Sequence, residues 1–105
     1  MSAEHSIVLV EDSRTQAARL KTVVESRGYG VRVAHRGEAA IELCRESKPS
    51  LLVTDVTMPG MDGFQLCSII KGDEDLSTIP VMLLTGLADP KDIIYGLEAL
   101  SLIHI

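Results

Sequence analysis

A short apolar run that ends in an acid constrains the fold of this chain most. Residues 51–53 are apolar without polar alternation, which is typical of a strand covered on both faces. The turn dipeptide Pro59-Gly60 follows soon afterwards and ends the strand. Asp55 is therefore predicted to lie at the carboxyl end of a central strand, where open parallel α/β sheets bind ligands. By itself this position also suits an acid that only caps the loop.

The same alternation of an apolar strand and an amphipathic helix occurs along the rest of the chain. Further strands are predicted at residues 6–10, 29–34 and 80–85. Helices are predicted over about residues 14–27, 38–47 and 62–72, and from residue 90 onward, with the polar residues Ser13 and Asp62 at the starts of the first and third. Four βα units with short linkers indicate a doubly wound α/β fold, with a parallel sheet between helices and right-handed crossovers.

Polar side chains follow three of the predicted strands. Glu11 and Asp12 come after the first strand, Asp55 ends the third, and Thr85 ends the fourth. Because the carboxyl ends of parallel strands meet at one edge, we expect these side chains to converge. Three carboxylates in one crevice would have raised pKa values unless a cation neutralised them, and hard oxygen ligands suit Mg²⁺.

This cluster predicts chemistry on a phosphoryl group. Asp55 is the expected nucleophile, Asp12 and Glu11 are the expected metal ligands, and Thr85 is the expected hydroxyl contact to the phosphoryl oxygens. The chain contains no Walker-type loop, no G-x-G-x-x-G motif and no Ser/His/Asp arrangement. Nucleotide binding and triad hydrolysis therefore have no support in the sequence.

Composition excludes other classes of function. The 105 residues predict a single domain, and the net charge of −5 argues against a nucleic-acid-binding surface. No apolar run approaches eighteen residues, and the first residues lack the features of a signal peptide. We therefore expect no membrane partner and a cytoplasmic location.

The cysteines and histidines do not form a motif. Cys44 and Cys67 each fall within an apolar helical pattern, which favours core packing over a disulfide or a metal site. His5, His35 and His104 are too scattered to act together as ligands or bases.

Three segments together carry a family pattern. They are Val8-Leu9-Val10-Glu11-Asp12, the run from Leu52 through Thr54-Asp55-Val56-Thr57-Met58-Pro59-Gly60-Met61-Asp62-Gly63, and Ile79-Pro80-Val81-Met82-Leu83-Leu84-Thr85-Gly86. In these segments, and over about residues 6–99, the chain resembles the receiver domain of two-component response regulators. The resemblance implies a flavodoxin-like (βα)₅ domain of strand order 2-1-3-4-5. It also implies that Asp55 takes a phosphoryl group from a sensor histidine kinase or a phosphotransfer protein.

The resemblance further implies a role for each site residue. Asp12 and Asp55 would bind Mg²⁺ directly, Glu11 would bind it through water, and Thr57 would offer its backbone carbonyl. Thr85 would close on the phosphoryl group. A receiver is a phosphoacceptor that assists its own phosphorylation and dephosphorylation, so we do not expect a separate enzyme activity.

The chain departs from the family pattern after Ala99. Residues 100–105 replace the usual fifth strand, the Lys-Pro dipeptide and the fifth helix. We therefore expect a receiver truncated before its fifth helix, in which residues 102–105 pair at most as a short edge strand. An uncovered face would then expose some of a set of apolar side chains, so that the chain either forms a homodimer or folds poorly. This set is Leu9, Leu20, Val24, Ile94 and Leu97.

Two other functions are compatible with parts of the pattern. A receiver-like interaction module that is not regulated by phosphorylation is favoured by the missing lysine and opposed by the complete acid cluster. An aspartyl-phosphate phosphatase also uses an aspartate at a strand end, but it needs a second acid two residues later, where this chain has Thr57.

Overall fold

The structure is a computed structural model and describes residues 5–85 and 90–103. Four strands and four helices alternate along this part of the chain. The strands are β1 (Ser6–Val10), β2 (Gly30–Ala34), β3 (Leu51–Asp55) and β4 (Val81–Leu84). The helices are α1 (Arg14–Glu25), α2 (Gly37–Glu46), α3 (Gly63–Gly72) and α4 (Pro90–Ile103). The alternation predicted from the sequence is confirmed.

The strands form one parallel sheet in the order β2-β1-β3-β4. β1 and β3, which carry the most continuous apolar runs, occupy the centre, and both are almost fully buried. This order is the 2-1-3-4 part of the flavodoxin-like arrangement that the resemblance implies. All four strands therefore present their carboxyl ends at the same edge.

Local side-chain contacts explain where two helices begin. The hydroxyl of Ser13 accepts a hydrogen bond from the Gln16 amide at 3.2 Å at the start of α1. At the start of α3, Asp62 and Gln65 form a reciprocal capping box, in which each side chain accepts from the other residue's backbone N–H. Both polar residues were predicted as helix starts, and these contacts satisfy amide groups that would otherwise lack partners.

Two apolar layers cover the sheet, one on each face. Helices α2 and α3 pack on one face, and the buried side chains of that layer include Val8, Val10, Ala40, Cys44, Leu52, Leu66 and Ile70. Helices α1 and α4 pack on the other face, and its buried side chains include Ile7, Leu9, Leu20, Val24, Val53, Leu84 and Ile93. The core position predicted for Cys44 is confirmed, whereas Cys67 is only partly buried.

Helix α4 corrects the expectation of an uncovered apolar face. It contacts α1, and Ile93 lies in the same apolar layer as Leu20 and Val24. Leu9, Leu20, Val24 and Ile94 are all buried, at 7% exposure or less. The prediction of exposure was therefore wrong for these four side chains. Leu9, Leu20 and Val24 share an apolar layer with Ile93 of α4, and the side chain of Leu97 lies outside the described residues.

The end of the chain corrects a second expectation. Leu102 and Ile103 belong to α4, so they do not form an edge strand, and residues 104 and 105 lie outside the described part. Apolar residues continue at helical spacing through this segment, which favours a helix over a strand. In the residues that the structure describes, no helix has the length and apolar character needed to span a membrane.

Candidate metal centre

Three carboxylates meet at the carboxyl edge of the sheet. Glu11 directly follows β1, and Asp55 is the last residue of β3. The two strands are neighbours, with Val10 opposite Thr54, so their ends lie side by side. One oxygen atom from each of Glu11, Asp12 and Asp55 lies within 4.8 Å of the others. The structure thus brings together the three acids that the sequence predicted to converge.

The three acids differ in their exposure to solvent. Glu11 is buried at 4% exposure, Asp55 is half-buried, and Asp12 is exposed. The site is therefore a crevice that is closed around Glu11 and open at Asp12. Water can reach the site on the side of Asp12, and Mg²⁺ usually retains several water ligands when proteins bind it.

The environment of Glu11 raises the pKa of its carboxyl group. Burial is the main cause, because it disfavours the charged form, and the nearby carboxylates of Asp12 and Asp55 raise the pKa further. The backbone N–H of Ser13 opposes this effect by donating to Glu11 Oε2 at 3.0 Å. A cation in the crevice would remove the cost of holding Glu11 ionised, as expected for the predicted metal site.

Asp55 has an oxygen atom suited to a ligand. In the described residues, Asp55 Oδ1 is a buried side-chain atom with no hydrogen-bond partner. Buried polar atoms of this kind are uncommon in native proteins, and a bound ion or water is a common partner for them. Three clustered carboxylates and one unpaired buried oxygen are the donor set of a hard divalent cation, so the residues fit Mg²⁺.

The two threonines lie near the same edge without a described contact to the acids. Thr57 is an exposed residue of the loop after β3. Thr85 directly follows β4 and is also exposed. Leu84 is opposite Asp55, and its carbonyl accepts from the Val56 amide at 2.9 Å, so the start of the Thr85 segment lies beside the end of β3. The roles of both threonines remain predictions.

His35 is at this edge, and sequence reasoning missed it. Its Nδ1 atom lies 2.9 Å from the backbone oxygen of Glu11. The available signal was its position directly after the last residue of β2, which places it at the same sheet edge as the acids. Grouping the histidines by their separation in sequence hid this signal.

Two ion pairs in the described part of the chain lie away from the acid cluster. The described ion pairs join Lys21 to Glu25 and Arg45 to Asp73, so neither involves the cluster. A bound cation would neutralise the repulsion among the three carboxylates.

Comparison with known proteins assigns the family. The model of the response regulator receiver domain matches residues 7–101. Transcriptional regulatory protein AfsQ1 of Streptomyces coelicolor is 37% identical over 94 residues, which cover 90% of this chain and 40% of that protein. Protein PilH of Pseudomonas aeruginosa is 33% identical over 90 residues, which cover 86% of this chain and 74% of that protein.

Solved structures agree with this assignment. The signal receiver domain of a histidine kinase from Syntrophus aciditrophicus has a TM-score of 0.73 and 46% identity, covering 90% of this chain and 71% of that chain. The chemotaxis protein CheY4 of Vibrio cholerae has a TM-score of 0.81 at 17% identity, covering 91% of this chain and 98% of that chain. This second likeness shows the fold alone.

The fold and the acid cluster define a receiver of the flavodoxin-like type. The chain belongs to the response regulator receiver domain family, and it is a receiver domain of the two-component kind. The predictions of family and fold class are confirmed. The chain spans about 40% of the length of AfsQ1.

Proposed function

We propose that this domain accepts a phosphoryl group on Asp55 from a sensor histidine kinase or a phosphotransfer protein, with Mg²⁺ as its cofactor. Asp12 and Asp55 would hold the ion directly, Glu11 would hold it through water, and Thr57 would contribute its backbone carbonyl. The observation that carries the proposal is the unpaired buried Oδ1 of Asp55 within a cluster of three acids.

Asp55 acts as the nucleophile in this reaction. A carboxylate oxygen of Asp55 forms a bond to phosphorus, and the bond from phosphorus to the donor's imidazole nitrogen breaks, leaving the electron pair on that nitrogen. Bound Mg²⁺ would supply positive charge to the carboxylates and the phosphoryl oxygens. The Thr85 hydroxyl would donate a hydrogen bond to one of those oxygens.

Backbone contacts hold the reacting carboxylate at the strand end. The Val56 amide donates to the Leu84 carbonyl at 2.9 Å, which extends the β3–β4 pairing one residue past Asp55. The Thr54 hydroxyl also donates to the Asp55 carbonyl at 3.0 Å. Asp55 is therefore placed by the rigid sheet rather than by a loop, which favours the precise positioning that catalysis requires.

Acetyl phosphate and Mg²⁺ provide the direct test, followed by intact-mass spectrometry. The parent chain should gain one phosphoryl group, and Asp55→Asn should gain none, because the amide is not a nucleophile of comparable strength. Asp75→Asn, at an exposed loop position, is the matched control and should be phosphorylated like the parent. Phosphorylation of Asp55→Asn at the parent rate would show that Asp55 is not the acceptor.

A second candidate is a receiver-like interaction module that is not regulated by phosphorylation. Its acid cluster would bind a cation in the same way, without transfer of a phosphoryl group. In the acetyl phosphate experiment this candidate predicts Mg²⁺ binding with no mass increase in the parent chain. The phosphatase alternative has less support, since the position two residues after Asp55 carries the hydroxyl of Thr57 and no acid.

A homodimer also remains a proposal. The sequence predicted a homodimer because apolar side chains next to α1 would be exposed. The structure buries Leu9, Leu20, Val24 and Ile94, so this reason no longer holds for them. Sedimentation at tens of micromolar, roughly the range in which weak dimers form, measures the state directly.

A further inference from the structure

His35 contacts the backbone of Glu11 at the carboxyl edge, and the proposed chemistry gives this contact no role. The residue directly follows β2 and is half-buried. Its Nδ1 atom lies 2.9 Å from the backbone oxygen of Glu11. Because a carbonyl oxygen can only accept a hydrogen bond, Nδ1 is the protonated ring nitrogen and donates to Glu11.

This contact completes the anchoring of the Glu11 backbone. The Glu11 N–H donates to the Ala34 carbonyl at 3.0 Å, and the Glu11 carbonyl accepts from the His35 ring. Both backbone polar groups of Glu11 are thus held by two consecutive residues at the end of β2. The edge strand fixes this segment although Glu11 lies beyond the regular pairing, which ends at Val10 and Ala34.

The orientation of the Glu11 carbonyl also sets the position of the Asp12 backbone. The carbonyl belongs to the planar peptide group that joins Glu11 to Asp12, so fixing its direction fixes the plane from which Asp12 extends. Asp12 is the exposed member of the cluster, and repulsion from the other two acids acts to move it away. A second anchor on this peptide group opposes that movement.

We propose that His35 is a positioning residue for the metal-binding acids, holding the Glu11–Asp12 peptide group so that both carboxylates face the crevice. The proposal rests on the proposed Mg²⁺ site. Its action resembles that of the outer hydrogen-bonding partners of metal ligands, whose removal commonly weakens metal binding by about 10- to 100-fold. Because His35 acts on the backbone and not on a ligand atom, we expect its removal to weaken Mg²⁺ binding by about tenfold, the lower end of this range.

Two substitutions of similar size separate the hydrogen bond from the packing of the ring. His35→Leu removes the donor, whereas His35→Asn retains an amide N–H at the same number of bonds from the backbone as Nδ1. Mg²⁺ affinity, measured by calorimetric titration, should fall about tenfold in His35→Leu and return to within about threefold of the parent in His35→Asn. Without Mg²⁺, amide exchange at Glu11 should be faster in His35→Leu than in His35→Asn.

His5→Leu is the matched control, because it makes the same change near the amino end of β1, where the His5 ring lies 6.0 Å from that of Tyr29. It should leave Mg²⁺ affinity unchanged. Parent affinity in His35→Leu, or equal weakening in His35→Leu and His35→Asn, would overturn the role of His35 alone. A parent chain that binds no Mg²⁺ would overturn the metal site and this inference with it.

Discussion

Gly63, the first residue of α3, lies directly against the backbone of Asp55. A methyl group at Gly63 would be 2.4 Å from the Asp55 carbonyl oxygen and 2.9 Å from the Val56 Cα. The Gly63 amide also donates to the Val56 carbonyl at 2.9 Å. The start of α3 and the end of β3 therefore form one tightly packed unit, and a larger residue at position 63 has to displace the strand that carries Asp55.

Gly63→Ala is expected to destabilise the domain by roughly 2–3 kcal/mol, since the atoms in the way belong to the backbone of a central strand and have little freedom to move. Gly96→Ala is the matched control. A methyl group there would meet the end of the Met82 side chain, which can rotate away, and alanine favours the helix. We expect the control to change the free energy of unfolding by less than about 1 kcal/mol in urea denaturation. Equal effects of the two substitutions would contradict this account.

Mg²⁺ is expected to stabilise the domain by mass action, because the folded cluster binds it and the unfolded chain does not. At about ten times its Kd, the ion should add about 1.4 kcal/mol and raise the Tm by roughly 5–10 °C. Asp12→Ala should lose this increase, while Asp75→Ala, in the exposed loop after α3, should retain it. Calorimetry with and without Mg²⁺ measures the difference, and an equal increase in Asp12→Ala would place the ion elsewhere.

The raised pKa of Glu11 predicts how stability depends on pH. Between the ordinary value of 4.5 and its raised value, the folded state binds more protons at Glu11 than the unfolded state. Stability should therefore decrease as the pH rises through this window in the absence of Mg²⁺. Glu11→Gln removes the titration, so it should give a flatter profile and a more stable domain near neutral pH.

Urea denaturation from about pH 4.5 to pH 7.5 without Mg²⁺ tests this prediction. Asp73 does not interfere, because Arg45 lowers the pKa of its carboxyl group below the ordinary 3.8. The stability that ionised Asp73 contributes is fully present above pH 3.8 and is lost only as the pH falls through the lowered pKa. A profile for Glu11→Gln as steep as that of the parent would assign the dependence to another group.

Substitution of Ile93 measures how much the packing of α4 against α1 contributes to stability. It is 1% exposed and packs in the layer that contains Leu20 and Val24. Ile93→Ala should cost about 2–4 kcal/mol through lost burial and the remaining cavity. Tyr95→Ala, at 70% exposure on the same helix, should change stability by no more than about 0.5 kcal/mol. Chemical denaturation compares the two, and a small effect of Ile93→Ala would show that α4 contributes little to the core.

Much of the fold and of the site follows from the sequence alone. The apolar runs before Glu11 and Asp55 predict central strands because local burial pattern and strand length are read directly from neighbouring residues. The polar residues Ser13 and Asp62 predict helix starts, since capping depends on atoms three residues apart. Parallel strands share one carboxyl edge, so the convergence of the acids needs no knowledge of side-chain packing.

Tertiary structure decided the features that depend on segments far apart in the chain. The apolar face of α4 can cover either side of the sheet, and only the fit of Ile93 against α1 assigns it to the side opposite α2 and α3. The reason that position 63 needs glycine is seen only from its close contact with the backbone of Asp55. His35 and Glu11 are 24 residues apart, and their hydrogen bond requires β1 and β2 to be aligned in one register. Sequence patterns specify local conformation and burial, but the distance between two such side chains is set by the packing of the whole domain.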